Sequence, residues 1–210
     1  MIKLAYCDVS NLELDKAYES LPKNRKEKVN HFRFEKDKKL SAGAYLLLDK
    51  LLKEENITDP SFKTGEYGKA YLSNHENIHF NLSHSGKLVS CAISDVEVGV
   101  DIEFNDPSID LDIAKHYFYN REYENIMNSE NPSDEFFKYW VLKESYMKYT
   151  GLGFNLDLDS FEIIINEKIR LKNDENNLKF SLFDVDEYKM AVCSKYSVNK
   201  YFRYSANELL

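Results

Sequence analysis

The spacing of apolar and polar positions divides the 210-residue chain into short strands and longer helices. Residues 2–9 read as an opening strand. A helical stretch starts at Leu21-Pro22-Lys23-Asn24, with Pro22 suited to its first turn. Residues 41–52 are strongly helical, with Leu46, Leu47, Leu48, Leu51 and Leu52 as the apolar stripe. Thr64-Gly65-Glu66-Tyr67-Gly68-Lys69 is a turn-rich loop. Residues 78–82 form a short strand running into Ser83-His84-Ser85-Gly86, and strands follow over 87–94 and 96–104. Residues 109–117 and 120–127 look helical. Asn131-Pro132-Ser133 breaks the chain, and Ser133 is placed to cap the next helix. Asp134 and Glu135 fall in its first turn, where the helix dipole favours acids. That helix runs to about Thr150 and stops at Gly151-Leu152-Gly153. Residues 161–165, 169–171, 179–183 and 188–193 read as strands.

Each half of the chain thus ends in strands. This predicts an α+β fold of two similar α+β lobes related by a pseudo-two-fold, residues 1–97 and 98–210, although no repeat is visible in the sequence itself.

Composition narrows the class. Hydrophobic residues make up 43% and charged residues 30%, the values of an ordinary globular chain. A net charge of −8 argues against a nucleic-acid binder. The charge is uneven: residues 23–39 hold eight Lys or Arg against three acids, a local +5 that leaves −13 elsewhere. Such a run is either a solvated helix face or a site for a phosphate or an acidic partner. Cys7, Cys91 and Cys193 are scattered, with no metal-binding spacing, as expected of reduced thiols in a cytoplasmic protein. No apolar run has the length of a signal peptide core or a membrane span, so no membrane partner is expected.

Two segments carry candidate chemistry. In Val98-Gly99-Val100-Asp101-Ile102-Glu103, strand alternation sends Val100 and Ile102 to the core and leaves Asp101 and Glu103 sharing the other face. In Trp140-Val141-Leu142-Lys143-Glu144-Ser145-Tyr146-Met147-Lys148, the stripe Phe136, Trp140, Glu144 and Lys148 faces inward, with Lys143 beside it. The plainer readings are a solvated strand face and a local Glu144–Lys148 ion pair. Together, however, three carboxylates supply hard oxygen ligands for Mg²⁺ or Mn²⁺, and adjacent lysines neutralise a phosphate bound to that ion. This points to chemistry on a phosphoanhydride. His84, flanked by serines and a glycine, reads as part of an anion-binding turn. A serine nucleophile is discounted, since no G-x-S-x-G elbow is present.

Phe80-Asn81-Leu82-Ser83-His84-Ser85-Gly86, Gly99-Val100-Asp101-Ile102-Glu103 and the Trp140–Lys148 segment occur in the order and spacing of the 4'-phosphopantetheinyl transferases. The chain most resembles the larger, single-chain type that activates surfactin synthetase, and the likeness extends to Glu66-Tyr67-Gly68-Lys69 and to residues 188–193. The resemblance implies an enzyme that moves phosphopantetheine from coenzyme A to a serine of an apo acyl or peptidyl carrier protein, in fatty acid, polyketide or nonribosomal peptide biosynthesis. It places Asp101, Glu103 and Glu144 on the metal, and Lys143 and Lys148 on the pyrophosphate. Ser83, His84, Arg25, Lys28, Ser41 and Lys69 are placed on the phosphates, His84, Arg25, Lys28 and Ser41 at the 3'-phosphate. Ala70 stands where proline is usual and Arg25 where lysine is common. Glu144 is the expected general base, with Lys148 stabilising or protonating the leaving bisphosphate. The carrier is expected to dock along residues 105–118, with Phe104, Ile109, Leu111, Ile113 and Tyr117 as candidate contacts. A monomer is expected. The alternatives are a Mg²⁺-dependent hydrolase of a coenzyme A or nucleotide anhydride, using the same carboxylates, and a non-catalytic coenzyme A-binding or carrier-binding protein.

Overall fold

In the computed structural model, which covers residues 1–210 apart from the side chain of Phe154, β1 (Ile2–Asp8) is covered on both faces. Ala5 and Cys7 pack into a core with α3 (Glu35–Glu54). Leu4 and Tyr6 point the other way, into a second core with Val98, Val100, Ile102, Met190 and Val192. That arrangement follows from two sheets stacked face to face. The first has the order β11-β1-β5-β4, where β4 is His79–Ser85, β5 Leu88–Ser94 and β11 Phe202–Tyr204. The second has the order β6-β10-β9, where β6 is Val98–Phe104, β9 Lys179–Val185 and β10 Tyr188–Ser194.

Helix α3 closes the outer face of the first sheet and α6 (Pro132–Thr150) that of the second. Helices α1 (Leu14–Ser20) and α2 (Lys23–Asn30) lie against α3. Helices α4 (Asp112–Tyr117) and α5 (Asn120–Met127) connect β6 to α6. Two small hairpins, β2 (Phe62–Thr64) with β3 (Ala70–Leu72) and β7 (Ile163–Ile164) with β8 (Arg170–Leu171), sit at matching places in the two lobes. Among the described residues, no helix is long and apolar enough to cross a membrane.

The expected two α+β lobes are present, and their internal likeness is closer than the sequence shows. In the first lobe His79 pairs with Ser94 and Ser85 with Leu88; one hundred residues on, Lys179 pairs with Ser194 and Val185 with Tyr188. The opening strands repeat the register too, Ile2 with Ser94 and Val98 with Ser194. One segment departs from the expected division at 97/98. β11 runs parallel to β1, and Ala206 and Leu209 pack into the first lobe's core, so the end of the chain belongs to the first lobe.

Two local expectations are corrected. Ser83-His84-Ser85 is not a turn but the last part of β4, paired in register with β5. The cap of α6 is Asn131 rather than Ser133: the Asn131 side chain accepts from the Asp134 N–H at 3.3 Å, and Pro132 takes the first helical position.

Candidate active site

The site lies where an edge of each sheet meets α6. Strand alternation places Asn81, Ser83 and Ser85 on one side of β4, and each reaches across to β6. Asn81 Oδ1 accepts from the Val100 N–H at 2.9 Å and Ser85 Oγ from the Phe104 N–H at 3.1 Å. Between them Ser83 Oγ donates to Asp101 Oδ1 at 2.7 Å. Side chains rather than a backbone ladder therefore stitch the lobes together here.

Val100 and Ile102 are fully buried between the sheets, so Asp101 and Glu103 face α6, as alternation predicts. Their approach to the helix depends on Gly99. A Cβ at Gly99 would run into Ser145 O and Tyr149 N of α6. Gly99→Ala is therefore expected to cost about 1–3 kcal/mol of stability and to depress catalysis by moving β6 off the helix, which denaturant titration and turnover would show together.

Lys148 Nζ, on α6, donates to Asp101 Oδ1 at 2.6 Å and to Ser83 Oγ at 2.9 Å. Asp101 is 1% exposed, and its second oxygen, Oδ2, is buried with no hydrogen-bond partner among the described residues. Burial, then the Asp101 charge, push Glu103 up to about 7, opposed by a Ser85 hydrogen bond and Lys148. The same two causes raise Glu144, again against Lys148. Glu103 and Glu144 thus each feel the Asp101 charge, which Lys148 only partly offsets. As the side chains stand, no three His, Cys, Asp or Glu converge as a ready metal cage among the described residues. The orphaned Asp101 Oδ2 and the all-oxygen donor set nevertheless fit a hard divalent cation.

Beside the carboxylates is a cleft of about 360 Å³ lined by Lys28, Tyr67, Gly68, Lys69, Asn81 and Lys148, among others. The lining lysines Lys28 and Lys148 have basic neighbours in Arg25 and His84. Desolvation and then the Arg25 charge lower Lys28. His84 has an exposed surface at the end of β4, yet crowding by protein around the ring, then the Lys148 charge, push its pKa down. Arg25 is half-buried with its guanidinium 4.8 Å from the Tyr45 ring centroid, and burial lowers its pKa as well. Arg25, Lys28 and Lys148, with His84 able to donate from its ring, make a seat for a polyanion. Ser41 is buried on α3, 8% exposed.

Two lysines stand differently from expectation. Lys143 is not at the phosphate side but fully buried on another face of α6. Its Nζ pairs with Glu122 Oε2 at 2.8 Å and donates to the Leu158 and Phe161 carbonyls, each at 2.8 Å. One residue along a helix turns the side chain by 100°, which separates Lys143 from Glu144. Glu122, which the sequence reading passed over, completes the cluster by accepting from Tyr119 N and Ile163 N at 3.0 and 2.6 Å. The spacing Phe136, Tyr139, Lys143, Met147 was the available signal, for all four are at most 2% exposed. Lys69 lines the cleft, but its ammonium is engaged by protein groups described below.

Comparisons with known proteins place the chain in a family. The 4'-phosphopantetheinyl transferase superfamily matches residues 97–193, and the N-terminal domain of 4'-phosphopantetheinyl transferase matches residues 8–95. The chain is 33% identical over 180 residues to the 4'-phosphopantetheinyl transferase Sfp of Bacillus subtilis strain 168, covering 81% of this chain and 80% of that one. It is 32% identical over 192 residues to a second Bacillus subtilis 4'-phosphopantetheinyl transferase, with 87% and 85% covered. The chain belongs to the 4'-phosphopantetheinyl transferase superfamily. It is an enzyme of the Sfp-like, two-lobed kind, with both lobes in one chain.

Proposed function

We propose that the cleft binds coenzyme A and that the carboxylate cluster directs its pyrophosphate to an incoming carrier-protein serine. The observation that carries this reading is the cluster itself: Asp101 pairs with Lys148, its second oxygen is buried without a partner, and Glu103 and Glu144 feel its charge at the edge of a basic cleft. Lys28, Arg25 and His84 form the wall suited to the adenosine 3'-phosphate, and Lys148 faces the pyrophosphate. Asp101, Glu103 and Glu144 would hold a magnesium ion, which supplies charge neutralisation of the pyrophosphate when bound.

The serine hydroxyl attacks the phosphorus that bears pantetheine, and the phosphoanhydride bond breaks. The serine proton passes to the Glu144 carboxylate. Lys148 stabilises the adenosine 3',5'-bisphosphate that leaves. The carrier docks along residues 105–118. Phe104 and Tyr117, 37% and 59% exposed, are its apolar contacts, whereas Ile109, Leu111 and Ile113 pack against the second lobe's core. Every group comes from one chain, in keeping with a monomer.

Intact mass spectrometry of an apo carrier protein incubated with coenzyme A and Mg²⁺ tests the reading. The expected result is a gain of one phosphopantetheine, abolished by chelator and slowed about a hundredfold or more in Glu144→Gln. Consumption of coenzyme A without modification of any carrier would instead mark a hydrolase. Bound but unconsumed coenzyme A would mark a binding protein.

A further inference from the structure

Lys69 has a full set of protein partners. Its Nζ donates to Glu97 Oε2 at 2.7 Å, to Tyr149 O at 3.0 Å and to Val98 O at 3.3 Å. An ammonium has three protons to donate, so none is left for a further acceptor. Val98 and Tyr149 belong to the second lobe, and Glu97 is the junction residue just ahead of it. Val98 is the first residue of β6, and Glu97 precedes it. Tyr149 lies in the last turn of α6, where carbonyls have no partner within the helix and the dipole favours a cation.

The lysine stem reaches these groups by passing over Gly151. That residue has φ of 73°, and a Cβ on it would come within 3.2 Å of Lys69 Cδ. The other Glu97 oxygen, Oε1, lies 3.0 Å from His79 Nδ1. His79 opens β4, and Lys69 sits in the loop between β2 and β3, so both come from the first lobe.

We propose that Lys69, Glu97 and His79 form a clasp between the lobes, which fixes the loop at residues 64–69 against the end of α6. Lys69 and Glu97 are then positioning residues for the coenzyme A cleft, and Lys69 is not a phosphate ligand. Tyr149 follows Lys148 directly, and Tyr67 and Gly68 line the cleft opposite it, so the clasp sets the distance between two walls of the site. Only its kinetic consequence rests on the transferase reading.

The test uses Lys69→Met, Glu97→Ala and the double variant of the full chain. Glu97 is half exposed, so Glu97→Ala is expected to keep the fold. Each single variant is expected to raise KM for coenzyme A about tenfold with kcat nearly unchanged. The double variant is expected to be no worse than Lys69→Met, because both remove one interaction. Amide hydrogen exchange of the protein alone should quicken at residues 64–69 and 149–152 in all three. A raised KM in Lys69→Met with an unchanged or lowered KM in Glu97→Ala would overturn the clasp and return Lys69 to the phosphate. Additive effects would overturn it as well. Should the wild type transfer nothing, the transferase reading fails and exchange decides alone: unchanged protection in Glu97→Ala rejects the clasp.

Discussion

Glu103→Gln is expected to slow carrier modification about a thousandfold and, at the same time, to make the cation-free protein more stable above pH 7. On the proposed reading, the rate loss follows from the removal of one of three charges that would hold the pyrophosphate's counter-ion. The stability gain follows from linkage. Burial and the Asp101 charge raise Glu103 from its ordinary value of 4.5 to about 7. Below the ordinary value both the folded and unfolded chains carry the proton, and there is no penalty. Between 4.5 and about 7 the folded chain keeps a proton that the unfolded chain has lost, so stability falls as pH rises. Above about 7 the loss is complete, on the order of 1–3 kcal/mol after allowing for partial solvent access. Thermal melts at about pH 5 and about pH 8 check this: the wild type should drop more than Glu103→Gln between them. Saturating Mg²⁺ should raise the wild-type Tm at the higher pH and leave the variant nearly unmoved. Equal pH slopes for the two proteins would remove the argument.

Lys143→Met is expected to cost about 3–5 kcal/mol, because it leaves Glu122 charged and buried with no cation. Burial pushes Glu122 up and Lys143 down, and each is opposed by the other's charge. Neither group is more than 1% exposed, so water does not soften the loss. For a chain of this size the drop in Tm is about 6–20 °C. Lys143→Arg should not restore stability, since the planar guanidinium does not match an ammonium that serves Glu122 and two carbonyls at once. Lys143→Met combined with Glu122→Leu should recover much of the loss. A direct pyrophosphate role predicts the opposite pattern, a stable Lys143→Met protein with a rate defect alone.

These two lysine and glutamate sites also show what the sequence conveys. Asp101 and Glu103 were legible because β6 alternates strictly, and the alternation survives in the fold. Glu144 and Lys148 were legible because they continue, one turn apart, the line that Phe136 and Trp140 begin. Lys143 was misplaced because the i, i+4 rule tells which residues share a stripe but not which stripe is the most buried. The true core line, Phe136, Tyr139, Lys143 and Met147, runs beside the one chosen. Ser83-His84-Ser85 looked like a turn because small polar residues and Gly86 favour one locally. Pairing with β5 overrides that preference, and the same hydroxyls then serve the lobe junction. Helix α1 and strand β11 passed unnoticed, at seven and three residues too short for periodicity to register. The repeated hairpin escaped as well, since matched register requires matched spacing and burial rather than matched residues.

The parallel pairing of β11 with β1 bears on how the molecule is made. β1 leaves the ribosome well before its outer neighbour, which is encoded about two hundred residues later. The amino-terminal half therefore waits, with one strand edge open, while the carboxy-terminal half is synthesised and folds against it. Ala206 and Leu209 then close the earlier half's core as a late plug. Each half finishes the other, so the protein is expected to melt in one cooperative step, and the active cleft between the halves forms only when the last turns of the chain are in place.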